Sequence, residues 1–248
     1  MRQRLGVALL LVLWLIVVLG AIGGSLAASV HERVGVATNL RDDAVARAMA
    51  ESGVVAASVE IGDSLGRLDA GPARAHYLNA LTASAPAPYT LGDGTFQVSV
   101  VDVNARLDVN LASEDALSQF FSQFTNAVSA HEIAQEVRQR TGTSARQGAI
   151  ATPFESIETL NESPSVDARL AAAVAPFITV DGDGNVNLTH APLAVRRSAA
   201  GQVVDAPTRL MIVSRGARNG SSFVHEIEAV YAIQGSQLAF VRWRERVR

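Results

Sequence analysis

Residues 5–30 carry no charged side chain, and 20 of those 26 positions are apolar, with Arg2 and Arg4 immediately ahead. No other feature constrains the fold so strongly, because a run of this length is stable only in lipid or against other apolar surfaces. As a helix rising about 1.5 Å per residue, residues 7–30 would reach roughly 36 Å, enough to cross a hydrocarbon layer about 30 Å thick. Arginine before the run and none within it places the N-terminus in the cytoplasm and everything beyond the run on the far side. In a Gram-negative cell that side is the periplasm. A cleaved signal peptide, with small residues at Ala27, Ala28 and Ser29, and a plain membrane anchor are both compatible with this start.

Beyond the run the pattern remains helical. Leu40, Ala44, Ala48, Ser52, Val55 and Val59 recur at spacings of three or four, with Val45 and Met49 beside them. Most charges from Glu32 to Glu51 fall elsewhere, which describes an amphipathic helix continuing to about Leu68. No proline occurs before Pro72, so apolar run and amphipathic stretch read as one stem. A segment rich in Ala, Pro and Ser, with Pro72, Pro86 and Pro88, reads as a linker.

The head opens with a strand over residues 95–103, after a Gly92-Asp93-Gly94 turn, and closes with strands over 208–214, 222–233 and 237–247. In the last two, Phe223, Ile227 and Tyr231 oppose Glu226 and Glu228, and Val241 and Trp243 alternate with Arg242, Arg244 and Arg246. A half-buried antiparallel sheet fits that alternation, with the arginine row read as charge protecting an exposed strand. Between these strands lie helical patterns. One is capped by Ser113 ahead of Glu114 and Asp115, a second covers residues 130–140, a third starts at Pro153, and a fourth covers 166–174.

Composition removes much chemistry. All 21 basic residues are arginine and cysteine is absent, which excludes Schiff-base lysines, a P-loop lysine, thiol nucleophiles, cysteine zinc sites and disulfides. The five histidines lack metal-ligand spacing, and Ser221-Ser222 near His225 lacks the Gly-x-Ser-x-Gly setting of a nucleophile elbow. Asp181, Asp183, Asn185 and Asn187 alternate as a calcium loop begins, but Val186 and Pro192 stand where an EF-hand needs glycine and glutamate. They are the weak metal candidates; no other cofactor is expected. Helices after Asn110 also suggest a helix-hairpin-helix, yet its hairpin lacks glycine and residues 113–170 hold eight acids against four arginines, the wrong balance for phosphate. No enzyme site and no nucleic-acid partner are expected.

The start Arg2-Gln3-Arg4-Leu5-Gly6, followed by Val7-Ala8-Leu9, resembles a type IV prepilin leader, cut after Gly6 to leave Val7 at the N-terminus. Leu11 stands where such chains usually carry a glutamate, a group costing about 2.5–3.5 kcal/mol in a bilayer unless it is partnered. Lack of that glutamate is a property of protein K of the type II secretion system, the GspK family of minor pseudopilins. Further stations resemble that family in order. They are Arg106-Leu107-Asp108-Val109-Asn110-Leu111-Ala112, Pro153-Phe154-Glu155-Ser156, Pro176-Phe177-Ile178-Thr179-Val180, Asn187-Leu188-Thr189-His190-Ala191-Pro192, and the closing Trp243-Arg244-Glu245. The stretch 134–143 departs from the family pattern.

The resemblance implies an α+β fold, a pilin-like N-terminal transmembrane and stem helix on an antiparallel sheet, with a small inserted SAM-like or helix-hairpin-helix-like module. The implied divisions are a leader at 1–6, a transmembrane part at 7–30, a periplasmic stem at 31–70, a head at 71–112 and 177–248, and the module at 113–176. It implies cleavage at Gly6, methylation at Val7, and a place at the pseudopilus tip, where the chain helps start assembly for export of folded proteins. Implied partners are the minor pseudopilins I and J, the major pseudopilin, prepilin peptidase and the inner-membrane platform. A periplasmic enzyme or binding protein with an ordinary signal or anchor is the competing reading.

Overall fold

The computed structural model describes residues 2–142, 151–198 and 202–247, with the side chains of 2–12, 23–32, 202 and 247 outside the description. Helix α1 (Arg2–Arg67) runs 66 residues without a break, roughly 100 Å at 1.5 Å per residue. It is followed by α2 (Pro72–Ala83), then by strands β1 (Ala87–Leu91) and β2 (Gly94–Asp102). The chain next forms β3 (Leu107–Asp108), α3 (Glu114–Phe121), α4 (Ala127–Arg140), α5 (Ala168–Val174), β4 (Ile178–Thr179), β5 (Asn185–Asn187), α6 (Leu193–Ser198) and β6 (Gln202–Val204). It ends in β7 (Arg209–Arg218), β8 (Val224–Gln234) and β9 (Gln237–Val247).

The fold is α+β. Five strands form an antiparallel sheet in the order β1-β2-β7-β8-β9, so residues 103–208 lie between two adjacent strands. Gly92 and Gly235 open two-residue hairpin loops with φ of 60° and 61°, a conformation glycine takes without strain. Ser113, as expected, caps α3 by accepting from the Ala116 N–H, and Asp167 does the same for α5 through Leu170.

Two expectations from the linker region are corrected. Pro72 does not begin a linker: it occupies the first turn of α2, where its missing N–H has no intrahelical partner to lose, and α2 buries Leu78. Pro88 falls within β1, an edge strand whose residues are all exposed and where a proline is tolerated. The helix expected from Pro153 is a short 3₁₀ turn, Ile157–Glu162.

Among the described residues there are two hydrophobic cores. The first lies between α1 and one face of the sheet and contains Ala50, Val54, Ile61, Leu65, Leu78, Leu210, Ile212, Ile227 and Ala229. The second draws on residues from Leu107 to Val195, a wider span than 113–176, and is built around Phe120, Phe121, Phe154, Ile133 and Val137.

Candidate functional site

Two arrangements organise the molecule: a helix with two different faces, and a polar joint between the two cores. On α1 the buried stripe is Ala46, Ala50, Val54, Ile61 and Leu65. The stripe expected from sequence lies on the other side. Leu40 is 65% exposed, Val55 59% and Val59 57%, with the alanines 44 and 48 also exposed. Small side chains decide which face meets the sheet. A Cβ on Gly216 would stand 2.2 Å from the Ala46 carbonyl oxygen and 2.3 Å from the Ala50 nitrogen, and one on Gly53 would stand 2.2 Å from Ser214 Oγ. Helix and strand therefore touch backbone to backbone around Ala46, Ala50 and Gly53, an approach that leucine or valine at those three positions would prevent.

Ion pairs flank this contact. Asp42 is held by Arg218, whose hydrogen bond lowers the Asp42 pKa, and Arg47 reaches Glu245 at 3.0 Å. The His225 ring lies buried between Asp43 at 3.7 Å and Glu245 at 3.4 Å. Nearer the N-terminus, Leu13, Trp14, Leu15, Ile16, Val17, Leu19 and Ile22 are all exposed, so the helix there is open and apolar on every side.

The joint is polar. Asn104, 1% exposed, donates to Asp183 Oδ1 at 2.8 Å and accepts from the backbone N–H groups of Thr208 and Arg209, both at 2.8 Å. Asn187 donates to Asp102 Oδ2 at 2.7 Å and to Asn79 Oδ1 at 3.1 Å, tying β5 to β2 and α2. Asp181 receives two hydrogen bonds from Arg244, at 2.6 and 2.8 Å, and one from Arg242 at 3.3 Å. Arg246 reaches Glu158 at 3.1 Å. The arginine row of the edge strand β9 thus does more than meet solvent: it also ties down the segment lying over the second face of the sheet. Glu226, expected on a solvated face, is buried there beside Arg215.

The four calcium candidates consequently reach different partners: Asp181 the arginines, Asp183 Asn104 and Thr208, Asn187 Asp102, and Asn185 the Asp183 carboxylate through its N–H. Among the described residues no cluster of three or more His, Asp or Glu could hold a metal ion. Sequence reasoning missed Asp102, Asn104 and Asp108. Burial raises the pKa of Asp102, and it pushes that of Asp108, one of whose carboxylate oxygens accepts no hydrogen bond among the described residues, up to about 6. Asp102 was legible near the end of a strand pattern, but the partners of Asp102 and Asn104 across the joint are 79 to 105 residues away and left no local signal.

Gly6 and Val7 lie within α1, but their side chains are outside the described residues. Among the described residues no helix is long and apolar enough to cross a membrane, and the side chains of most of the uncharged run, those of 5–12 and 23–30, are outside the description.

No protein-family model matches the sequence, and no curated protein matches it. The structure is similar to a chain in the crystal structure of the GspK-GspI-GspJ complex from the type 2 secretion system of enterotoxigenic Escherichia coli. The TM-score is 0.58 at 13% identity, covering 88% of this chain and 99% of that one. A likeness at this identity is one of fold.

Proposed function

We propose that the chain is a minor pseudopilin of a type II secretion system, of the protein K kind. The observation that carries this reading is the fold shared with a chain of the GspK-GspI-GspJ complex over almost the whole of both chains. The ordered sequence stations and the basic, glycine-ended leader ahead of an apolar helix support it independently.

In this reading residues 1–6 are removed after Gly6, Val7 becomes the methylated N-terminus, and residues 7–30 start in the inner membrane with the head in the periplasm. The chain assembles rather than catalyses. Its stem leaves lipid for a bundle of other stems, exchanging acyl contacts for helix packing along the open apolar face. The minor pseudopilins I and J and the major pseudopilin are its neighbours, prepilin peptidase its processing enzyme, and the inner-membrane platform its assembly site. The segment from β2 to β7, an inserted helical module, adds bulk that suits the pseudopilus tip, where the chain helps to initiate assembly.

Mass spectrometry of the N-terminus from cells with and without prepilin peptidase tests the reading. Protein starting at methylated Val7, only where the peptidase is present, is expected. Protein starting near Ser29, or an uncut Met1 in both strains, would overturn it. Gly6→Ala is expected to block both processing and secretion.

A further inference from the structure

Where α1, the end of α2 and the β1–β2 hairpin meet, they leave a groove of about 320 Å³. Its position follows from the fold. Helix α1 lies on β7, the middle strand of the five, where Ala46 and Ala50 meet Gly216 and Gly53 meets Ser214. Strands in a sheet stand about 4.8 Å apart, so β1 lies about 10 Å to one side, and the small Ala56 and Ala57 of α1 leave the space between unfilled. The α1 side of β1 is consequently uncovered: Tyr89 and Leu91 are both 52% exposed.

The walls of the groove belong to the first core. Ile61 is buried there, and Ala57, Leu81, Val98 and Val100 pack against it. Tyr89 and Phe96 add aromatic surface, their rings stacked at 5.3 Å. Among the described residues a single charged side chain lines the groove, the carboxylate of Glu60 on α1.

These surroundings select the occupant. Glu60 is exposed and demands no partner, but as the one charge on the lining it repels an anion and favours a cation. The apolar and aromatic walls favour a side chain with a long apolar body. Arginine joins the two requirements, because its guanidinium is weakly hydrated, stacks on aromatic rings and matches a carboxylate with its planar fork. The more strongly hydrated ammonium of lysine gains less from such walls. We infer that this groove seats an arginine side chain of a partner protein, its methylene stem on Val98 and Val100 and its guanidinium directed to Tyr89 and Glu60. Leu91, two residues from Tyr89 on the same face of β1, continues the apolar surface beyond the groove, where residues flanking the arginine would cover it and a free guanidinium compound would not. The site stands independently of the secretion reading.

The test uses the full chain in lipid nanodiscs with methyl-labelled valine, following the Val98 and Val100 resonances assigned by their loss in Val98→Ile and Val100→Ile. Acetyl-arginine amide is expected to shift both saturably, and its neutral isostere acetyl-citrulline amide to bind about tenfold more weakly. Glu60→Gln, on the exposed side of α1, is expected to remove that preference. Tighter binding of acetyl-Leu-Arg-Leu amide than of acetyl-arginine amide supports a partner chain as the source; equal binding would overturn the partner in favour of a free guanidinium compound. No saturable shift with either arginine probe, equal binding of acetyl-citrulline amide, or an unchanged preference in Glu60→Gln would overturn the site.

Discussion

The two cores of this molecule are built from different materials. Between α1 and the sheet the contacts are made by alanine, glycine and aliphatic side chains, with backbones brought close at Gly53 and Gly216. The segment between β2 and β7 is centred on large aromatic side chains: Phe120 packs edge-on against Phe121 at 5.4 Å and leans on Phe124 at 5.2 Å. What joins them is hydrogen-bonded and ionic. The difference teaches that the first core is specified by how closely a helix can approach a strand, the second by how much apolar volume is enclosed, and the joint by direction.

Substitutions that affect one region and spare the other test this division. Phe120→Ala is expected to have the largest effect, about 4 kcal/mol, because it empties a fully buried aromatic site. Hydrogen exchange should show lost protection in α3 and α4 while β7 and β8 keep theirs; equal loss in both would join the two cores into one. Gly216→Val is expected to cost about 3 kcal/mol in the opposite region, since its Cβ would fall on the α1 backbone, and to free residues 46–65 of α1 while α3 and α4 stay protected. At the joint, Asn104→Ala leaves the backbone donors of Thr208 and Arg209 without this acceptor and takes one of its donors from Asp183, and a loss of about 2 kcal/mol is expected in chemical denaturation.

Asp108 sharpens the contrast through pH. Its pKa is raised to about 6 in the folded chain, so the native state binds more protons than the unfolded state between about pH 4 and 6. Stability from this group is therefore present at low pH and lost as pH rises through that window, by up to about 1.4 kcal/mol per pH unit. Asp108→Asn keeps an acceptor for the Asn110 N–H and is expected to flatten that slope in thermal melts. Ser113→Ala should give the smallest effect, about 1 kcal/mol, confined to the start of α3.

Local signals were legible and relational ones were not. The stem, the hairpin of β8 and β9 and the Ser113 cap each follow from neighbouring residues: absence of proline, alternation about a glycine turn, a serine before two acids. The buried face of α1 did not follow, because hydrophobicity favours Leu40, Val55 and Val59, whereas the contact required Ala46, Ala50 and Gly53. That requirement is set by Gly216, more than 160 positions away. The joint was hidden for the same reason: Asp181 reads as a weak metal candidate until Arg242 and Arg244 stand opposite it.

Helix α1 has one face on its own sheet and, in the proposed assembly, turns the other to neighbouring stems. Because the chain has no cysteine, single cysteines report on each face without background. In secreting cells, Val59→Cys is expected to cross-link to a cysteine on the stem of another pseudopilin, and Val54→Cys, buried against the sheet, is not. Secretion proceeding with no cross-link from Val59→Cys at any partner position, or equal cross-linking from Val54→Cys, would contradict the claim.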